Sequence, residues 1–417
     1  MTYGKDFKKM VRARMQRTGE SYTTARAILL GKLATSQAPH ARHDQTAALR
    51  RLISAAAKGG RLPAENSTEA WLLGLGGGIS VQYFTFEYAG QPPILYVGTR
   101  CNPQYAYSPN FMLRALERSG LTPRVFEAGG AKGARDNVSV ALAHGPAAAW
   151  VGREALAGEQ APMGSTPWVI VVHDLEDDHI AVEDIFRGVI ELPLKDLLGA
   201  QGALRKARHR LIAVDGLSEV SLAHSVRAGL ADCLEDLMGR RAVGGYEKNF
   251  GLQALEKWAA QAAAKGRKSW RATFAPGAGL FHGLAQLFGW VETASGGGGF
   301  RPMYAEFLRE AGARLAAPSL IRASKMYQTL GGRWQELAQA PLQEGPGALR
   351  ELEVLLKTLN HPPTLVELAP LAARGDEELR GAVAEGLYAD LASRLASLAV
   401  EEKKAAALLE DALRELG

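Results

Sequence analysis

The feature that most constrains this chain is a change of hydrophobic period partway along it. Between Trp71 and Val214 the apolar residues come in short β-rich runs, VQYFTFEY, PILYVGTR, PRVFEA, AAAWVGRE, WVIVVHDLE, HIAVEDIF and VIELPL, separated by Gly, Pro and Asp. After Val214 they recur every three or four positions, in SLAHSVRAGLADCLEDLM, GLQALEKWAAQAAA, FRPMYAEFLREAGARLA, SLIRASKMYQTLGGRWQELAQ and the tail from Asp376. The two patterns bury their apolar faces in different geometries, so the spacing predicts an α+β domain with a mostly antiparallel sheet followed by an all-helical domain. Within the first half, helices are expected at Asp44–Lys58, Asn110–Ser119 and Leu194–Ala207. A length of 417 residues accommodates two or three domains, drawn here as residues 1–36, 37–214 and 215–417.

Residues 1–36 read as a basic helical arm, two amphipathic helices broken at Thr18-Gly19-Glu20-Ser21. Residues 1–61 hold 13 Lys and Arg against three acids, Asp6, Glu20 and Asp44, whereas the remainder holds 36 basic and 41 acidic residues. A cationic segment on a mildly acidic body attracts an acidic partner: an acidic protein, a nucleic acid, or a second copy of the chain in a homo-oligomer. The second helix of the arm, TTARAILLGKL, is too apolar to read DNA bases, so any nucleic-acid binding is expected to be electrostatic.

A hydrophobic content of 47% with 22% charged residues is that of a globular protein. The most apolar stretch, Phe274 to Trp290, is interrupted by Pro276, glycines and His282, and no membrane span is expected. The chain opens on Met-Thr-Tyr-Gly-Lys-Asp without a basic-then-apolar leader and holds two cysteines, Cys101 and Cys233, so a cytoplasmic setting is expected. Cys101, beside Arg100 after a strand, is the more reactive candidate, and Cys233 reads as a buried thiol within an amphipathic helix. No cofactor is expected.

Two glycine runs stand out. In GLGGGI, residues 74–79, the glycines precede a strand, whereas a phosphate loop needs strand, glycines and helix in that order, so Gly76 and Gly77 are read as a tight turn allowing close backbone approach. In SGGGGFR, residues 295–301, the glycines form either a flexible linker or an ordered turn facing a ligand, with Glu292 and Arg301 at its rim and Arg301 able to clamp a carboxylate or phosphate. Two His-containing groups, His40, His43 and Asp44, and His173, Asp174, Asp177, Asp178 and His179, lack a metal-site spacing such as H-E-x-x-H, and no metal site is assigned.

The order of these motifs resembles a known family. HARHDQTAALR (40–50), then GLGGGI with an aromatic strand, then WVIVVHD, then VED and ELPL (191–194), is similar to the BtrH-type N-terminal domain named after butirosin biosynthesis, and WVETASGGGGFRPMYAEFL (290–308) is similar to the helical domain that usually follows it. The resemblance spans about residues 40–340. It implies a papain-like, cysteine-protease-like fold used for acyl transfer from a carrier-protein thioester to an amine, with an acyl carrier protein as the acidic partner.

That chemistry needs a thiolate at a helix N-terminus, an imidazole to take its proton and a carboxylate to orient the imidazole. The position matching the family's cysteine holds Asp44, expected to cap its own helix. The positions matching its histidine hold Pro167 and Trp168, and Asp184 matches the third member. His173 is the histidine nearest to a substitute. The expected catalytic set is therefore Asp44, His173 and Asp184, and the expected ligand-binding set is His40, His43, Gly76, Gly77, Tyr83, Glu292 and Arg301. Loss of thiol and imidazole together points to a catalytically degenerate relative that binds a small acyl or amine ligand or a protein partner. The alternatives are an active acyltransferase or amidase without a cysteine, and a nucleic-acid-binding protein acting through the arm.

Overall fold

The computed structural model describes residues 41–58, 68–100, 107–158, 165–185, 187–276, 279–359 and 361–417, together with Arg12 and Met15. The expectations for the basic arm, His40 and Cys101 lie outside these residues. The chain forms a mixed α+β region followed by a largely helical one, in two compact units. The division is not one cut: unit 1 comprises residues 1–72 and 104–221, and unit 2 comprises residues 73–103 and 222–417.

Unit 1 is built on a six-stranded antiparallel sheet in the order β3-β8-β4-β5-β6-β7, formed by β3 (Leu121–Phe126), β4 (Ala147–Gly152), β5 (Pro167–Glu176), β6 (His179–Asp184), β7 (Gly188–Pro193) and β8 (Leu211–Leu217). Its helices include α1 (Asp44–Lys58), α3 (Asn110–Arg118), α4 (Ala131–Ala143) and α5 (Leu194–Gly202). Alternation along β5 sends Ile170 and Val172 into a core with Val138 and Ala141 of α4 and Leu197 of α5, and leaves Val169 and Val171 on the face that α1 covers. With both faces covered, β4 and the middle of β5 are buried at every position, which is why their sequences are continuous apolar runs. β5 and β6 join through Asp177 and Asp178, both at positive φ (46° and 64°), the two central residues of a tight hairpin turn. Strand β8 and helix α4 are additions to the sequence reading. The buried residues of α4 are only Ala134, Val138 and Ala141, a stripe too weak to mark a helix, and LIAV of β8 is a short apolar run with no alternation.

Strands β1 (Ile79–Phe86) and β2 (Ile94–Arg100), expected within the first sheet, instead pair as a separate antiparallel hairpin in unit 2. There they accompany the helices α6 (Leu222–Leu237), α7 (Gly251–Ala263), α8 (Leu280–Phe288), α9 (Arg301–Leu315), α10 (Pro318–Gln343), α11 (Gly347–Thr358), α12 (Leu365–Glu378) and α13 (Gly381–Glu415). Tyr83 of β1 stacks on Trp258 of α7 at 5.1 Å, carrying the hairpin into the helical core. No helix among the described residues is long and apolar enough to cross a membrane.

The GLGGG turn ends helix α2 (Glu69–Leu75). The Gly78 N–H donates to Leu73 O (2.9 Å) and the Gly77 N–H to Gly74 O (3.1 Å), the paired bonds of a Schellman C-cap, with Gly77 at φ 121°. A Cβ on Gly74 would overlap the ring of Phe307, and one on Gly78, at φ 74°, would lie 2.6 Å from the ring of Tyr304. These glycines are required by chain reversal and packing. Gly78→Ala is expected to cost about 2–3 kcal/mol through left-handed strain and overpacking, read as a lower denaturant midpoint at unchanged slope.

Candidate functional site in the first unit

The N-terminus of α1 is organised differently from the sequence expectation. Asp44 is the first helical residue and His43 occupies the capping position: the Thr46 N–H points at His43 Nδ1 at a long 3.5 Å, and Thr46 Oγ1 lies 3.1 Å from His43 O. With the Thr46 N–H facing Nδ1, Nε2 is the ring nitrogen placed to donate, and it lies 3.1 Å from Asp44 Oδ1. The second carboxylate oxygen, Oδ2, accepts the backbone N–H of Val169 at 2.9 Å. Both residues are buried, and Phe111 lies edge-on to the imidazole.

Strand register explains the Val169 bond. β6 pairs with β5 only from Val171 onward, so β5 runs past the end of its neighbour, and the amide of Val169 would be buried on that side without an acceptor. Asp44 supplies one. A carboxylate with an oxygen on each of two buried donors is a structural tie between helix and strand, and is a poor nucleophile.

Glu69, which the sequence reading passed over, holds the approach to this helix. Its buried carboxylate accepts the N–H groups of Arg42 (3.2 Å) and His43 (3.1 Å) and the hydroxyl of Thr46 (2.7 Å). Thr68 Oγ1, accepting the Trp71 N–H at 3.0 Å, fixes the start of α2 and with it the position of Glu69. Thr followed by Glu before an apolar run signals such a helix start, but nothing in it shows that the carboxylate turns toward a different helix.

His173 lies in a bulge of β5, between the pairs Val172–Val182 and Asp174–Ala181, and its Nε2 is 3.0 Å from Glu183 Oε2. Glu183 Oε1 accepts Arg51 Nε at 2.8 Å. Burial pushes the Glu183 carboxyl up, but His173 and Arg51 outweigh it and hold the group below the usual carboxylate range. Arg51 is seven residues beyond Asp44 on α1, about 10 Å along the helix. The structure thus places Asp44 and His173 at separate anchors of α1 rather than as one acid–base pair.

Between these anchors lies a cavity of about 260 Å³ whose lining includes Ala47, Ala48, Arg50, Ser54, Val171 and Asp184. Asp184, at the end of β6, accepts the Arg187 N–H at 3.4 Å. Of the expected catalytic residues, Asp184 is the one in the wall; Glu183, its neighbour, is there as well. His179 is exposed, its Nδ1 3.2 Å from Asp177 O, and Asp178 pairs with Arg135. Among the described residues no group of three or more His, Cys, Asp and Glu is arranged to hold a metal ion.

The other expected ligand-binding residues belong to unit 2, where each is occupied in packing. Tyr83 is buried and its hydroxyl donates to Gln261 Oε1 at 2.9 Å. Gly76 and Gly77 form the turn after α2. The SGGGGFR run is ordered, with Gly296 to Phe300 all at positive φ, and a Cβ on Gly298 would meet Gly331 O at 2.8 Å. Glu292 Oε1 accepts the Gly298 N–H at 3.2 Å; burial raises its carboxyl against that bond and those from Gln339 and Gln335.

Arg301 is corrected most sharply. Far from clamping a ligand, it is completely buried and donates to Glu402 Oε1 (2.7 Å), Thr99 O (3.0 Å), Gly299 O (2.8 Å) and Ser80 O (3.0 Å), with Trp334 beneath the guanidinium at 4.8 Å. Cys233 is buried, 3.4 Å from Ile79 O, and burial pushes its thiol up to about 12. It is unreactive at neutral pH.

The sign of the Glu183 shift sets a pH dependence. A carboxyl whose folded pKa is depressed stabilises the fold above its ordinary value and loses that contribution as pH falls through the folded value. Glu183→Gln is expected to lower stability at pH 7 by about 2 kcal/mol, with the gap to the wild type closing below about pH 4, as measured by denaturant titration across pH.

A family model described as a domain of unknown function (DUF4872) matches residues 194–367. No curated protein matches the chain.

Proposed function

We propose that this chain is a catalytically degenerate relative of the BtrH-type acyltransferases, and that the cavity beside α1 binds a small acyl or amine ligand. The observation that carries this reading is the fate of the residue at the nucleophile position. Asp44 has Oδ2 on the Val169 amide and Oδ1 beside His43 Nε2, so the helix start that would present a thiolate is used to join helix to strand. The residues matching the family's histidine support it too. Pro167 has no proton acceptor, and Trp168 packs with the core on the sheet face opposite Val169. What remains is a pocket whose wall combines small apolar side chains with a few charged ones, the usual composition of a small-molecule site.

The test has two arms on the full chain. Purified protein is expected to leave a butyryl thioester of N-acetylcysteamine unhydrolysed and untransferred to amines, whether or not it has been treated with iodoacetamide. It is also expected to gain thermal stability, saturably, from members of a panel of small amines and carboxylic acids, and to lose that response in Ser54→Trp, which fills the cavity. Thioester turnover abolished by alkylation and by Cys101→Ala would overturn the degenerate reading, and the absence of any saturable ligand would overturn the binding role.

A second reading concerns the arm, because the local excess of ten positive charges in residues 1–61 on a net-negative remainder is an independent observation. An acidic carrier protein is the partner proposed for it, ahead of nucleic acid or a second copy. Full-length protein is expected to bind an acidic carrier protein more tightly at 50 than at 200 mM salt, by roughly tenfold or more, and a truncation starting at Ala34 to bind weakly at both. Equal binding by the two forms would make the arm a packing element, and salt-sensitive DNA or RNA binding in place of carrier binding would shift it to nucleic acid.

A further inference from the structure

Taking the cavity beside α1 as the binding site proposed above, we infer that its ligand is a small monocarboxylic acid whose carboxylate is held by Arg50. The two neighbouring arginines on the wall are in different states. Arg51 is spent: Nε donates to Glu183 Oε1 at 2.8 Å, and His173 occupies the other oxygen of the same carboxylate. Arg50 has only a loose approach to Glu69 Oε1, at 3.7 Å, and Glu69 already accepts the amides of Arg42 and His43 and the hydroxyl of Thr46. That separation is too long for a hydrogen bond, and a guanidinium carries five donors. Among the described residues Arg50 thus keeps its hydrogen-bonding capacity, on a side chain that is 30% exposed and lines the cavity.

The surroundings select the anion. Ser54, four residues on and therefore on the same face of α1, adds a hydroxyl to the same wall. A guanidinium fork matches a carboxylate in plane, with two parallel N–H donors. Asp184 also lines the cavity, and Glu183 is already paired with Arg51 and His173, so a dianionic phosphate meets more repulsion than a monoanion does. A cationic amine meets the like charge of Arg50 on the same wall, and Glu183 is already engaged by Arg51 and His173. Ala47, Ala48, Val171 and Ile185 supply an apolar lining, and about 260 Å³ is smaller than the ~300–1,000 Å³ of drug-sized sites, which suits a short acid.

Titration calorimetry or ligand-observed NMR on the full chain with butyrate, n-butylamine, butan-1-ol and butyl phosphate tests this. Butyrate is expected to bind more tightly than the other three. Arg50→Gln should weaken it at least tenfold, and Arg50→Lys, which keeps the charge but loses the fork, should fall between. Thermal melts of both variants should match the wild type, since Arg50 is only loosely paired; if Arg50→Gln fails to fold, Arg50→Lys carries the comparison. Butylamine or butanol binding more tightly than butyrate, lost in Ser54→Trp, would overturn the carboxylate assignment while leaving the pocket as a site. Unchanged butyrate affinity in both Arg50 variants would also overturn it, and no binding of any of the four would overturn the pocket along with it.

Discussion

The buried amide of Val169 sets the position of helix α1. Strand β5 has ten residues and β6 six, and the overhang leaves a backbone donor where no strand can satisfy it. An unpaired buried N–H costs about 1–3 kcal/mol, a large fraction of a domain's net stability, so the site needs an acceptor. Asp44 provides it from the first turn of α1. Two turns later Arg51 reaches Glu183 on β6, and the helix is pinned across the sheet at two points. The cavity is the space between those pins, where Ala47 and Ala48 are too small to fill the gap above Val171.

The same economy separates tying from reacting. A nucleophile must keep a lone pair exposed and unsolvated by donors, whereas a structural carboxylate is stabilising only when its oxygens are occupied. Asp44 meets the second condition. In unit 2 the charged residues follow the same rule at greater depth: Arg301 and Glu402 are wholly buried, and their charge is absorbed by one another, by three carbonyls and by Trp334, whose Nε1 donates to Glu402 Oε1 at 2.7 Å. Such a pair is costly to bury and more costly to break, which ties β1, β2, the glycine run and α13 to one arrangement.

Legibility in the sequence tracked the range of the interaction. The change from period two to period 3.6 near residue 214 marked the mixed and helical regions, because strand and helix bury residues at different local spacings. Cys233 was readable as an inert thiol from its apolar neighbours on a helix. His43 was not readable as the cap of α1, since Asp44 has the stronger intrinsic preference for that position and the strand's demand for its carboxylate comes from 125 residues away. Glu183 was passed over for Asp184 because adjacent strand residues look alike until register assigns them neighbours.

Local chemistry alone determined the element types, the glycine turn after α2 and the absence of a cysteine at the first long helix of the sheet domain, since each depends on residues close together in the chain. Only the tertiary structure decided that Asp44 serves Val169, that Arg51 is neutralised by Glu183 while Arg50 is not, that Arg301 faces inward, and that β1 and β2 join the helical unit. Those outcomes depend on which backbone donors and charges are left unsatisfied after the strands pair, and pairing is a property of residues distant in sequence.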